Sequence, residues 1–256
     1  MKADLRVAVR ELGWRLFVRN LHAQYRQSFL GLFWGLAPPL ATTILWTYLH
    51  AFEIIRVNET STPYPVFVLS GTLLWQVFAD ALRNPLRQLS TSAYLLSKIS
   101  FPTEALLVAG LAQVALDFCI RVFLLVPIML WFQVPLPITM PLAVIGVGAL
   151  ALFGTSLGLL LTPMGLLYRD VQRILDMGVL FWFFITPVIY PASDTMLTRL
   201  NPVSPLLQTA RGLLVAGEFV HPVLFLTVLL FSVLLTITSW VIYRVALPHV
   251  VERMSP

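Results

Sequence analysis

The sequence predicts an all-α integral membrane protein with six transmembrane helices and an amphipathic helix ahead of the first, on three observations. Of its 256 residues, 58% are hydrophobic and only 11% charged. A soluble domain carries about 25% charged residues, and a chain of this size lacks the polar surface to cover so many apolar side chains. Six stretches reach or approach the roughly 20 apolar residues with which a helix crosses a bilayer, its backbone polar groups satisfied internally. The basic residues, finally, fall mostly on one side of those stretches. Thirteen of 17 Lys and Arg do so if the first terminus is cytoplasmic: Lys2, Arg6, Arg10, Arg15, Arg19, Arg26, Arg83, Arg87, Lys98, Arg169, Arg173, Arg244 and Arg253. Arg56, Arg199 and Arg211 fall opposite, and Arg121 lies inside a stretch. That asymmetry places both termini in the cytoplasm, in agreement with an even number of spans.

Residues 1–27 precede the first span, and 4–22 read as a helix lying in the interface plane. Leu5, Val9, Leu12 and Leu16 form one stripe flanked by Arg6 and Arg10, while Val7, Trp14, Val18 and Leu21 form a second apolar face almost opposite. One face in lipid and one against protein would account for both; a solvated leader into the first span is the alternative. The spans are 28–52, 64–82, 103–132, 137–167, 174–190 and 222–247. Pro38 and Pro39 interrupt the first. The third and fourth are long enough to tilt. The fifth is short, with Pro187 in its last turn. Between spans two and three, 87–102 holds a short amphipathic stretch that Pro102 ends, because the residue before a proline is pushed out of helical geometry. The connection 191–221 is the long one on the other side, and its VSPLLQTARGLLVAG suits one or two short helices dipping toward the membrane. The alternating ten-residue segments of a β-barrel are absent. No internal repeat divides the chain, which reads as a single domain.

Several function classes drop out. The lone Cys119 excludes a disulfide framework, and His22, His50, His221 and His249 have no metal-binding spacing. The chain lacks GxxxxGK[ST], HExxH and GxSxG, and no set of nucleophile and acid or base residues assembles; the chain does not read as an enzyme. The basic balance is topological, with no sign of nucleic-acid binding. The first thirty residues show no signal-peptide pattern.

Charge inside the apolar stretches is the first positive clue. Asp117 and Arg121 share a helix face at i,i+4 in the middle of span three and can pair. Charges at that depth are costly, about 2.5–3.5 kcal/mol each on insertion scales. They mark either a pair fixing span three against a neighbour or a group facing a transport route. Asp80 has Arg83 at i+3 as its expected partner. The second clue is YRDVQRILDMGVLFWFFITPVIYP, 168–191. Arg169, Asp170, Arg173 and Asp176 crowd one lip, and Phe181, Trp182, Phe183 and Phe184 follow at mid-span. Four consecutive residues point all round a helix, so at least one ring faces away from lipid. Aromatic faces suit the C–H surfaces of sugar rings; ordinary helix packing is the competing reading.

Four landmarks in order carry a resemblance: YRQSFLGLFWGLAPPL (25–40), KISFPTE (98–104), YRDVQRIL with TPVIYP (168–191) and LNPVSPLLQTAR (200–211). With them the chain resembles the permease (transmembrane) subunit of ABC-2-type bacterial polysaccharide exporters, the group that moves O-antigen, capsule and teichoic acid chains. The resemblance implies a homodimer in the bacterial inner membrane with two separate ABC ATPase subunits, which bind the ATP and Mg and would explain the missing phosphate loop. No cofactor or metal is expected on this chain. The cargo implied is a glycan on a polyprenyl pyrophosphate carrier. Residues 1–27 would be the interface helix, and 87–102 the coupling segment, with Tyr94, Leu95, Lys98, Phe101 and Pro102 against the ATPase. Segment 191–221 would be a periplasmic gate of short helices. Arg26, Arg83, Arg87 and Arg169 would meet the pyrophosphate at the cytoplasmic entrance. Phe181, Trp182, Phe183, Phe184, Tyr190 and Trp46 would line a pathway between spans one and five. The alternatives are an ABC-2 drug or lipid exporter permease, a secondary transporter, or a membrane enzyme of glycan assembly. Inverted repeats would mark the secondary transporter, and none is found.

Overall fold

The computed structural model describes residues 11–22, 32–55, 57, 60–92, 102–192 and 196–254. Arg26, Tyr94, Leu95, Lys98 and Phe101, and the stripe residues before Glu11, lie outside them. The described residues are helical, with no strand among them. In chain order the helices are α1 (11–22), α2 (Leu32–Ala51), α3 (Tyr64–Thr91), α4 (Glu104–Trp131), α5 (Ala143–Leu167, entered through the 3-10 turn Met140–Leu142), α6 (Arg169–Ile185), α7 (Met196–Leu200), α8 (Val203–Arg211, continued by the π-helical turn Gly212–Ala216) and α9 (Pro222–Met254).

Four helices are long and apolar enough to cross a membrane: α3, α4, α5 with its lead-in turn, and α9. The other two expected spans are weaker. α2 has 20 residues with Pro38 and Pro39 inside it. α6 has 17, and its first two turns carry the Arg169–Asp176 charges.

Burial orders the bundle. The apolar window of α3 is 83% buried, that of α5 50%, α4 28% and α9 17%. α3 is therefore the axis of the core, packed on α5, α4 and α2, while α9 covers the far side of α5. Apolar tails of lipid drive no helix together, so close approach of backbones has to supply the contact energy. Gly154 and Gly158 of α5 supply it in a GxxxG pair. A Cβ on Gly154 would sit 2.6 Å from the Phe78 carbonyl oxygen of α3, and one on Gly158 would collide with the Leu82 carbonyl. Phe78 and Phe153 stack beside this seam, 5.9 Å between centroids.

Three expected boundaries move. Span two continues past residue 82 to Thr91, so 87–91 are helix and not connection. Pro85 lies inside α3, where Gly158 leaves its ring room, and Ser90 and Thr91 fold their hydroxyls back onto Leu86 and Arg87 carbonyls. The fifth helix starts at Arg169 and stops at Ile185. Thr186 is extended (φ −88°, ψ 139°), as a residue before proline must be, so Pro187 follows the helix instead of sitting in its last turn. The last helix runs on to Met254 through Pro248.

α1 packs back on the bundle. Gly13 lies against Ala105 and Val108 of α4, Phe17 is buried, and Leu16 joins Leu89, Leu106 and Tyr243 in a second, smaller core. Trp14 is 63% exposed. The protein-facing side is thus Gly13, Leu16 and Phe17, shifted from the stripe the sequence suggested because Gly13 permits the closest approach.

Candidate functional site

Two assemblies of polar residues stand out against this apolar frame, one at each end of the bundle. The first joins the TPVIYP and LNPVSPLLQTAR segments. Asn201, just before α8, is 5% exposed. Its Oδ1 accepts from Trp182 Nε1 (2.9 Å) and from the Val203 amide (3.1 Å), and its Nδ2 donates to Thr186 Oγ1 (2.8 Å). Thr186 Oγ1 in turn donates to the Trp182 carbonyl at 2.8 Å. At the other end of α8, Arg211 is buried, donates from Nη2 to the Val188 carbonyl (2.7 Å), and stacks 3.9 Å over the Phe67 ring. Burial pulls its pKa down to about 9, which leaves it charged at neutral pH. Gly71 of α3 has no side chain because the Arg211 guanidinium and the Val188 carbonyl occupy that space. Tyr64 closes the assembly by donating to the Ile189 carbonyl (3.0 Å). The result is a rigid cap of α8 and the turn after α6, clamped on the start of α3.

This cap decides how the four rings of α6 are used. Trp182 and Phe183 turn inward and are half-buried. Trp182 meets Phe78 edge-on at 5.2 Å, and Phe183 meets Trp75 at 5.8 Å. Phe181 (63% exposed) and Phe184 (50%) turn outward. Tyr190 is half-buried and donates to the Phe184 carbonyl at 2.7 Å. Trp46 on α2 is half-buried against the main core. Of the expected lining residues, Phe181 and Phe184 face outward, Phe184 edge-on to Phe183, and Trp182 is tied into the cap.

The second assembly is a polar cavity of about 520 Å³ between α1, α2, α3 and α4, at the end of the bundle where α3 finishes and α4 begins. It holds Arg83, Arg87, Asp117 and Arg121 together, with Arg19 and Asp80. The expected pairings are exchanged. Arg121 Nη1 binds Asp80 Oδ2 at 2.9 Å, joining α4 to α3. Asp117 accepts from Gln113 Nε2 at 3.0 Å. Arg83 Nε binds Asp176 Oδ1 of α6 at 2.6 Å. In place of the helix-internal pairs Asp117 with Arg121 and Asp80 with Arg83, both arginines take a carboxylate on a facing helix and Asp117 takes Gln113 of its own. Opposite charges in two separate apolar runs, Asp80 in one and Arg121 in the other, were the signal that finds this pair. Arg169 is exposed at the start of α6 and does not line the cavity. Pro102 opens the first turn of α4, accepting from the Ala105 amide. Among the described residues no cluster of His, Cys, Asp or Glu suits a metal.

A bundle of long apolar helices, with a buried polar cap at one end and a charged cleft at the other, defines a multi-pass helical membrane protein. No protein-family model matches the chain. The chain is similar to an O-antigen export system permease protein, RfbA, of Klebsiella pneumoniae, 24% identical over 241 residues, covering 89% of this chain and 91% of that protein. It is likewise similar to an RfbA O-antigen export permease of Myxococcus xanthus, 27% identical over 216 residues and covering 77% of this chain and 78% of that one. A second Klebsiella pneumoniae RfbA matches at 22% over 206 residues. The resemblance read from the landmarks therefore extends along most of the chain.

Proposed function

We propose that this chain is the transmembrane subunit of an ATP-driven exporter that moves a polyprenyl-pyrophosphate-linked, O-antigen-like polysaccharide out of the cytoplasm. The observation that carries the reading is the similarity to O-antigen export permeases over 89% of the chain. The bundle of apolar helices is consistent with it. In this reading the chain works as a homodimer with two separate ATPase subunits, six helices crossing the inner membrane and both termini in the cytoplasm. The charged cavity then faces the cytoplasm, and the cap of α8 faces the periplasm. ATP binding closes the ATPase pair and moves the two permeases as rigid bodies. The glycan slides along outward-facing rings such as Phe181 and Phe184, whose faces give weak, repeated contacts.

Deletion of the gene tests this directly. The expected result is loss of the surface glycan with retention of its lipid-linked form inside the cell, restored by the gene in trans only when a cognate ATPase is present. Normal surface glycan in the deletion strain, or export with no ATPase partner, would overturn the proposal.

A further inference from the structure

The end of the bundle that carries the cap has one connection unlike the others. Glu53, Arg56 and Glu59 mark the connection from α2 to α3, and Asp194, Arg199 and Glu218 that from α6 to α9. From Val122 to Tyr168, by contrast, no Asp, Glu, Lys, Arg or His occurs, so the turn from α4 to α5 is uncharged throughout. It is nonetheless open: Trp131 is 83% and Ile138 96% exposed, and Phe132, Leu136 and Leu142 are exposed beside them. A contiguous apolar surface of this kind marks an interaction site. The segment is also firmly built. Val134 is buried in the main core, Thr139 donates its hydroxyl to the Leu213 carbonyl at 2.9 Å, and a Cβ on Gly217 would meet Pro137 at 3.4 Å. Its backbone donors are mostly spent. The N–H groups of Phe132, Gln133 and Val134 bond carbonyls in the last turn of α4, and those of Met140 and Leu142 bond Pro137 and Thr139. Pro135, Pro137 and Pro141 have no N–H to satisfy.

We propose that residues 131–142 form a lipid-binding shelf: Trp131, Leu136, Ile138 and Leu142 insert between phospholipids at the cap end of the bundle, and so fix the depth of the cap in the bilayer. Lipid is the occupant that the surroundings favour. The exposed side chains continue the outward faces of the helices they join, Phe123, Pro127 and Leu130 on α4 and Val144 and Ile145 on α5. Both helices are long and apolar enough to cross a membrane, so those faces already meet acyl chains. Backbone at that depth must have its donors satisfied internally or lack them, which the turn's hydrogen bonds and prolines provide. Trp131, at the end of a spanning helix, suits the boundary between head groups and chains. The ties to Leu213 and Gly217 join the shelf to the π-helical turn that continues α8. The cap therefore cannot rise toward water without drawing Trp131 and Ile138 out of the leaflet. The inference rests on the chain crossing a membrane and is independent of what is exported.

The test uses the full-length chain in a Cys119→Ser background, reconstituted into phosphatidylcholine vesicles. A nitroxide is attached in turn at Leu136→Cys, Ile138→Cys, Phe123→Cys and Glu218→Cys. Power saturation reads collision with oxygen, which concentrates in lipid, and with a nickel chelate, which stays in water. The labels at positions 136 and 138 should match the one on α4 at position 123, with an oxygen-to-nickel ratio several-fold above that at position 218. Leu136→Lys, a change at an exposed position, should raise nickel accessibility at position 218 and leave position 123 as it was, because the shelf leaves the leaflet and the cap follows. A nickel-favouring label at position 138 would place the connection in water, and shielding from both reagents would place a second copy over it. Indifference of position 218 to Leu136→Lys would separate the cap from the shelf. Each of these three results overturns the proposal. None of the readings involves transport, so they stand apart from the export phenotype of the deletion.

Discussion

Asn201 serves three partners with one carboxamide, and its neighbours have no substitute for it. Asn201→Ala would strand the Trp182 indole N–H and the Val203 amide, each a buried donor, and would remove the donor to Thr186. An orphaned buried group costs about 1–3 kcal/mol, so the variant should lose about 3 kcal/mol in reversible unfolding by SDS in mixed micelles. Phe181→Ala removes an outward ring that is 63% exposed and should change stability by less than about 1 kcal/mol while lowering export of glycan in cells. Trp182→Ala should instead cost about 3–5 kcal/mol through lost packing on Phe78, and any fall in export would follow the loss of folded protein. A Phe181→Ala variant that exports normally would remove the ring from the pathway. The sequence carried these aromatics as a group of four, but which rings turn inward depends on the facing residues Phe78, Trp75 and Asn201. Nothing local encodes that choice.

α6 shows at the level of the element what was legible and what was not. Its inward face, Leu175, Val179 and Trp182, and its outward face, Ile174, Met177, Phe181 and Phe184, both follow helical spacing, so a helix was readable from either. Its limits were readable at one end only. Pro187 stops it, but the charged lip that looked like a border is its first two turns, because Asp176 has Arg83 of α3 to meet. The same holds for α3, whose extension through Pro85 depends on a glycine 73 positions later. Glycines in α5 read as ordinary small residues of a membrane helix; only the facing carbonyls of α3 distinguish them. Gly158→Leu should push α3 off α5 and abolish folded protein in the membrane fraction, as judged by fluorescence size-exclusion chromatography. Gly148→Leu, where no atom lies within 4 Å of the missing Cβ, should leave the elution profile unchanged. Equal profiles for the two variants would refute the close-packed seam.

The whole molecule leaves a surface that one copy does not explain. Ile174, Met177, Phe181 and Phe184 are spaced three and four apart and are 67%, 61%, 63% and 50% exposed, the pattern of a seam between two helices. α6 also touches little of its own bundle, meeting mainly α5 and α3. Lipid alone would be satisfied by any apolar face; α9 carries a similar stripe at Leu226, Leu230, Leu234, Ile237 and Val241, but of aliphatic side chains, whereas that of α6 includes two aromatic rings. The proposed homodimer gives the stripe a use: two copies facing each other across α6 would set the outward rings around a shared path. In a Cys119→Ser background, Phe181→Cys should give a dimer with a short bifunctional maleimide in native membranes. Phe123→Cys, 78% exposed on α4, should not. Addition of a non-hydrolysable ATP analogue to membranes containing the ATPase should change the yield at position 181, because rigid-body movement alters the spacing between the two helices. Cross-linking at position 123 in place of 181 would put α4, and not α6, between the copies, and would move the glycan path with it.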